Sequence, residues 1–145
     1  MSFMKSLDIG ASALSAERTH LNTISMNLAN VNTTRTPEGG PYKRKTVLFK
    51  AVPVETPFAK AMQTELEREL RGVKAKAVLN DNRPFKQVYD PGHPDANQEG
   101  YVSLPDINVV EEMANMLTAM RTYEANVSAI TTTKSMYNKA LEIGR

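Results

Sequence analysis

The amino-acid sequence predicts a mainly α protein with a small β-rich insertion, its long N- and C-terminal helices pairing as a coiled-coil-like hairpin. Three observations predict this. All eight prolines, Pro37, Pro41, Pro53, Pro57, Pro84, Pro91, Pro94 and Pro105, lie between the ends. An interior proline removes a helical hydrogen bond and clashes with the preceding turn, so the termini alone are free to run as long helices. Charge follows the same partition: residues 9–34 hold only Glu17 and Arg18, residues 35–104 hold twenty-one charges, and Met113 to Leu141 holds four. Apolar residues in both ends step by three and four, the period of a helix with one buried stripe. The chain therefore divides into an N-terminal helical half (1–34), a central strand- and turn-rich segment (35–104) and a C-terminal long helix (105–145).

In the first helix the stripe runs Phe3, Leu7, Leu14, Leu21, Ile24, Leu28 and Val31, with four leucines at seven-residue intervals. It is a heptad seam interrupted at Gly10 and Glu17. It runs into Asn30, Asn32, Thr33 and Thr34, where asparagine in the left-handed conformation is expected to end the helix. About 25 residues at 1.5 Å each make it roughly 40 Å long.

The second helix starts after Pro105. Asn108 as cap and Glu111 three residues later have the spacing of a capping box. Val109, Met113, Met116, Met120, Tyr123, Val127, Ile130, Tyr137 and Leu141 then hold the alternation, with only Lys134 out of character, over roughly 50 Å.

The remaining faces of these helices are unusual. Ser6, Ser12, Ser15, Thr19, Asn22, Thr23, Ser25 and Asn27 line one helix, and Ala114, Ala119, Ala125, Ser128, Ala129, Thr131, Thr132 and Thr133 the other. Solvated helix surfaces normally carry abundant Lys and Glu. Small residues let neighbours approach closely, and hydroxyls and amides pair across a contact without the desolvation cost of charge. These faces are expected to be covered by other protein.

In the centre, Thr36 to Pro41 reads as a turn. Tyr42 to Val52 and Val73 to Leu79 have strand character, with Phe85 to Tyr89 and Tyr101 to Leu104 as shorter candidates. Residues 58–71 fit a short, highly charged helix or a mobile excursion, and 50–72 as a whole is expected to include that mobility. Asn80 to Pro84 and Asp90 to Asp95 are turns.

Composition excludes much chemistry. The formal charge of +2 is too balanced for a protein living on phosphate electrostatics. With no cysteine and only His20 and His93, thiolate sites and histidine cages are excluded. Asp90, His93 and Asp95 could form a metal or acid–base site, but a single histidine in a Pro/Gly loop reads better as a turn. Lys43, Arg44 and Lys45 beside Tyr42 could touch nucleic acid, and read better as a solvated face or the complement of an acidic partner. Glu111 and Glu112 are explained by the helix macrodipole rather than as a catalytic pair. No catalytic, cofactor or metal residue is assigned. No run approaches the roughly 20 apolar residues of a membrane helix. The first residues are too polar for a secretory signal, so the chain is expected to stay in the cytoplasm or to leave without a cleaved signal. The seams alone also fit a cytosolic helical adaptor.

Ile9-Gly10-Ala11-Ser12-Ala13-Leu14, followed by Met26-Asn27-Leu28-Ala29-Asn30-Val31-Asn32-Thr33-Thr34, resembles the N-terminal signature of the bacterial flagellar rod, hook and hook-associated protein family. Arg35-Thr36, Gly39-Gly40-Pro41-Tyr42-Lys43-Arg44-Lys45, Pro84-Phe85-Lys86, Val88 to Asp95, Gly100-Tyr101-Val102, Glu112-Met113, Tyr123-Glu124-Ala125-Asn126 and the ending Ala140 to Arg145 are similar to its proximal-rod members. Asp106-Ile107 departs from the family's usual Asn-Val, and residues 50–72 match no motif of it.

The resemblance implies a non-enzymatic rod subunit that transmits torque through the periplasm, without cofactor, nucleic acid or small-molecule substrate. It implies export through the flagellar type III apparatus, neighbours among other copies and other rod proteins near a membrane-embedded ring, and terminal helices in an inner coaxial layer. The seam residues are then the expected packing positions. A two-helix hairpin leaves more apolar surface than a stable monomer should, so the ends are expected to be loose in the free subunit and to order on assembly.

Overall fold

The structure is a computed structural model and describes residues 3–53 and 70–143. Helix α1 (Phe3–Ala29) is followed by β1 (Lys45–Pro53), β2 (Arg71–Asn80), β3 (Lys86–Tyr89), β4 (Tyr101–Leu104) and helix α2 (Val109–Ile143). At 27 and 35 residues the helices are about 40 and 52 Å long.

The two helices lie side by side and antiparallel. Phe3 stacks on Tyr137 with ring centroids 4.1 Å apart. A Cβ built on Gly10 would come within 2.7 Å of Ile130 Cγ1. At the other end Asn27 bonds Glu112. The register is constant over the shared length, and Gly10 is where the backbones need the absence of a side chain. α1 and α2 thus form an antiparallel helical pair.

α1 ends differently from the expectation. No described non-glycine residue has a positive φ, so no asparagine adopts the left-handed cap. Asn30 instead donates from its side-chain amide to Met26 O at 2.8 Å and accepts from Thr33 Oγ1 at 3.1 Å. The side chain joins the Asn30 backbone amide, 3.2 Å away, on the same Met26 carbonyl, so the last turn closes without a left-handed residue. At the start of α2, Asn108 Oδ1 accepts from the amides of Val110 and Glu111, capping the helix as predicted.

β1 and β2 form an antiparallel hairpin running from Lys45↔Asn80 to Pro53↔Arg71, with a bulge between Leu48 and Phe49. The strands begin and end within three residues of the predicted ones. Residues 50–53 and 70–72 thus belong to or abut this hairpin; the rest of the predicted excursion, 54–69, lies outside the described residues. β2 leans its edge on α1: Val73 N donates to Ser12 Oγ at 3.1 Å. The His20 ring meets Phe49 edge-on at 5.6 Å. β3 and β4 form a separate antiparallel pair. Gly100, at φ +83°, fits beneath Tyr89, whose ring a Cβ would meet at 2.8 Å.

α1 is therefore flanked by α2 on one side and by the β1–β2 hairpin on another. This corrects part of the sequence reading. Ser12, Thr19, Thr23 and Asn27 need no second molecule to cover them; they face or bond the chain's own hairpin or lie buried beside it. Their small size is what lets a strand approach the helix.

Few large apolar side chains are fully buried. The core comprises Ala16, Ile24, Tyr42, Val47, Val102 and Ala119, and its most deeply buried large side chains are polar: Glu112, Asn27 and Thr23. On α2, the hydroxyls of Thr118, Thr122, Thr131 and Thr133 each donate to the backbone carbonyl four residues earlier.

Candidate assembly site

Two features of the fold bear on function: a polar junction that locks the helices to the strands, and an apolar row on α2 that the chain leaves uncovered.

The junction lies where the C-terminal turns of α1, the first turn of α2 and the entry to β1 converge. Asn27, 1% exposed, uses its whole amide. Nδ2 donates to Lys45 O at 2.9 Å and to Glu112 Oε2 at 3.1 Å. Oδ1 accepts from Lys45 N at 2.8 Å and from the Tyr42 hydroxyl at 3.1 Å. The Glu112 carboxylate, equally buried, receives Arg44 Nη2 at 2.6 Å and Nε at 2.8 Å on its other oxygen. Arg44 Nη1 reaches Thr46 Oγ1 and Asp81 Oδ2, and Arg83 completes the chain on Asp81 at 3.0 Å.

A buried charge is tolerable only when paired and hydrogen-bonded throughout, and here every oxygen of Glu112 has a partner. Burial is the largest influence on Arg44 and disfavours its cation. The carboxylates of Glu112, Asp81 and Glu111 outweigh it and hold the Arg44 pKa above its ordinary value. Burial, reinforced by the Glu112 charge, raises the Tyr42 pKa.

This junction was not read from the sequence. Arg44 is no solvated residue: the acidic partner it complements is Glu112 of its own chain. Glu112 does more than favour a helix N-terminus. The available signal was an amide at position 27, on the turn after Ile24 in a leucine seam, and a carboxylate in the turn before Met116.

The predicted packing residues divide into two sets. On α1, Ile24 is buried and Leu7, Leu14, Leu21 and Leu28 are half-buried, as is Val31 in the turn that follows. On α2, Met116, Tyr123 and Ile130 are half-buried on the side facing α1, alternating with Glu112, Ala119, Asn126 and Thr133. Tyr137 stacks on Phe3 yet stays 43% exposed. Val109, Met113, Met120, Val127 and Leu141 remain exposed, Met113 by 59%. The single seam read along α2 is thus two adjacent rows, because a stripe of that width subtends more than one helical neighbour can cover. Leu117 and Val110 extend the exposed row, and Met113, Ala114, Met116, Leu117 and Met120 line a shallow apolar groove of about 400 Å³.

Asn30 and Thr33 form the turn described above. Thr34 Oγ1 donates to Asp95 Oδ2 at 2.8 Å, tying the turn to the 90–95 loop, while Asn32 is exposed. In that loop Asp90 Oδ1 accepts from Gly92 N and His93 Nδ1 from Asp95 N. These side chains are engaged in making the turn. Among the described residues, no group of three acidic or histidine side chains could hold a metal ion, and no described helix is long and apolar enough to cross a membrane.

Residues 7–35 match the family described as flagella basal body rod protein, and residues 98–143 match the C-terminal family of flagellar basal body rod FlgEFG proteins. The chain is 41% identical to the flagellar basal-body rod protein FlgC of Borreliella burgdorferi, over 99% of this chain and 98% of the relative. It is 40% identical to FlgC of Bacillus subtilis and 38% identical to FlgC of Salmonella typhimurium, each over the full length of both chains. With such relatives aligned end to end, the chain belongs to the FlgC family of flagellar basal-body rod proteins.

Proposed function

We propose that this protein is a non-enzymatic structural subunit of the flagellar basal-body rod, polymerising through its terminal helices into part of the tubular drive shaft. Family membership supports the location in the basal body. The observation that carries the assembly mode is the exposed row Val109, Met113, Leu117, Met120, Val127 and Leu141 on a helix whose other face is already occupied. An apolar strip of this length on a free chain is costly to leave in water, and burial against neighbouring copies or other rod proteins removes the cost. Methionine suits a surface whose neighbours are not identical, because its unbranched side chain repacks readily. Contacts between different patches on successive subunits do not close on themselves and give a tube rather than a ring of fixed number.

In this reading the helices of neighbouring subunits interlock as a coiled-coil-like inner layer, export proceeds through the flagellar type III apparatus, and torque passes through many lateral contacts. The far end of the hairpin, where Met136, Leu141 and Ile143 are exposed, orders fully only on assembly. Met120→Asp tests the proposal, since Met120 is 45% exposed. The variant should retain the wild-type circular dichroism spectrum and fail to enter basal bodies. Normal incorporation and swimming refute the interface assignment.

A further inference from the structure

The described charges are sorted by region. Residues 43–53 and 70–86, the β1–β2 hairpin and its flanks, carry nine basic side chains and a single acid, Asp81. Between Lys86 and Arg121 there is no Lys or Arg, while Asp90, Asp95, Glu99, Asp106, Glu111 and Glu112 all fall there. Of these only Glu112 is spent on an internal ion pair, with Arg44. Glu99, Asp106 and Glu111 are exposed.

The basic side is a surface as well as a composition. Lys50 lies directly opposite Lys74 in the strand register, and Lys76 stands two residues along β2 at the bulge, where it pairs with no residue of β1. All three are exposed, and among the described residues none has a carboxylate partner. Like charges directly opposite each other destabilise a hairpin, so the chain on its own gains nothing from this arrangement. Leu48, Phe49, Val78 and Leu79 are exposed on the same hairpin, which adds apolar area and favours a protein partner over a polyanion.

The two surfaces are displaced along the helices. The acidic segment is tied to the C-terminal end of α1, through Thr34–Asp95 and Asn27–Glu112. The lysine cluster is carried by the part of the hairpin that meets α1 at Ser12 and His20. Ser12 and Asn27 are fifteen residues apart on one helix, roughly 22 Å.

We propose that the exposed lysine cluster Lys50, Lys74 and Lys76 docks on the acidic 90–111 segment of a second copy of this chain, making a head-to-tail contact staggered along the helix axis. It rests on the reading of the chain as a rod subunit and names the outer contact between its copies. The partner is a second copy because the complementary charge is on the chain itself, unpaired and at a different height. A contact between two different patches propagates instead of closing.

The cysteine-free sequence makes the test direct. Lys76→Cys and Glu99→Cys in one chain, oxidised in isolated basal bodies, should give a ladder of self-adducts on a non-reducing gel, with neither single variant giving one. A basal body that contains the chain but yields no adduct, or an adduct with a different protein, overturns the proposal and leaves the rod assignment standing. Charge exchange provides an independent measurement. Lys74→Glu with Lys76→Glu should reduce swimming at least tenfold, and adding Glu99→Lys with Asp106→Lys to the same chain should restore it. Failure to recover overturns the proposal even if the cysteine chain does not assemble. Absence of the unmodified chain from basal bodies would instead remove the rod assignment beneath it.

Discussion

Asn27→Ala is the sharpest perturbation of this fold. The substitution strands four partners at once: the amide and the carbonyl of Lys45, the Tyr42 hydroxyl and Glu112 Oε2. Each buried group left without a partner costs about 1 kcal/mol at the low end, and more when it is charged. Water entering the space left by the amide recovers part of that. The expected loss is about 4 kcal/mol, a large share of the 5–15 kcal/mol typical of a domain. Urea unfolding of the full chain followed by far-ultraviolet circular dichroism measures it, with Asn32→Ala as control, because Asn32 is exposed and should change stability by less than about 0.5 kcal/mol. Asn27→Asp keeps the two acceptor contacts but sets a second carboxylate against Glu112, and should be at least as damaging as alanine. A loss below about 1 kcal/mol for Asn27→Ala, or a neutral Asn27→Asp, refutes the view that this amide joins helices and strands.

Three further outcomes are expected. The Tyr42 pKa lies above its ordinary value in the folded chain, so the folded state holds that proton more tightly than the unfolded state. The contribution is complete below the unfolded value of about 10 and is lost as pH rises through the folded one. Alkaline melts should therefore show destabilisation above about pH 10 that Tyr42→Phe reduces. Gly100→Ala combines a φ of +83° with a Cβ 2.8 Å from the Tyr89 ring. It should cost about 1–3 kcal/mol and disperse the amide signals of β3 and β4 while leaving those of α2 unchanged. In the free chain, amide exchange along α2 should quicken from the Glu112 end toward Leu141, since only the former is locked by the junction; uniform protection contradicts ordering on assembly.

The elements were legible because each rests on a local cause. Prolines confined to residues 37–105 set the helices at the ends, the Asn108 cap fixed the start of α2, and the Thr46–Phe49 run and the partial alternation from Val73 to Leu79 placed β1 and β2. Pairing was legible as a three-four alternation. Which of two neighbouring rows meets α1 was not, because the angular width of an apolar stripe says how much must be covered and not by which neighbour. Met113 and Met116 look alike in sequence and differ in exposure. The junction was illegible for a different reason. Arg44 and Glu112 are sixty-eight residues apart, and no local rule says that a basic residue at a strand entry will find its carboxylate at the start of a distant helix. The polar face of α1 misled for a related reason: small side chains announce a close approach without saying whether the visitor is the same chain or another.

The threonines of α2 carry one last consequence. With each hydroxyl turned back to a carbonyl of its own helix, what the exposed Thr118, Thr122 and Thr131 offer outward is largely methyl. A surface that a composition table scores as hydrophilic behaves in contact as a set of short aliphatic bumps that demand no donor or acceptor in return. In the proposed assembly, neighbours packed on such bumps shift by fractions of a residue without breaking directional bonds.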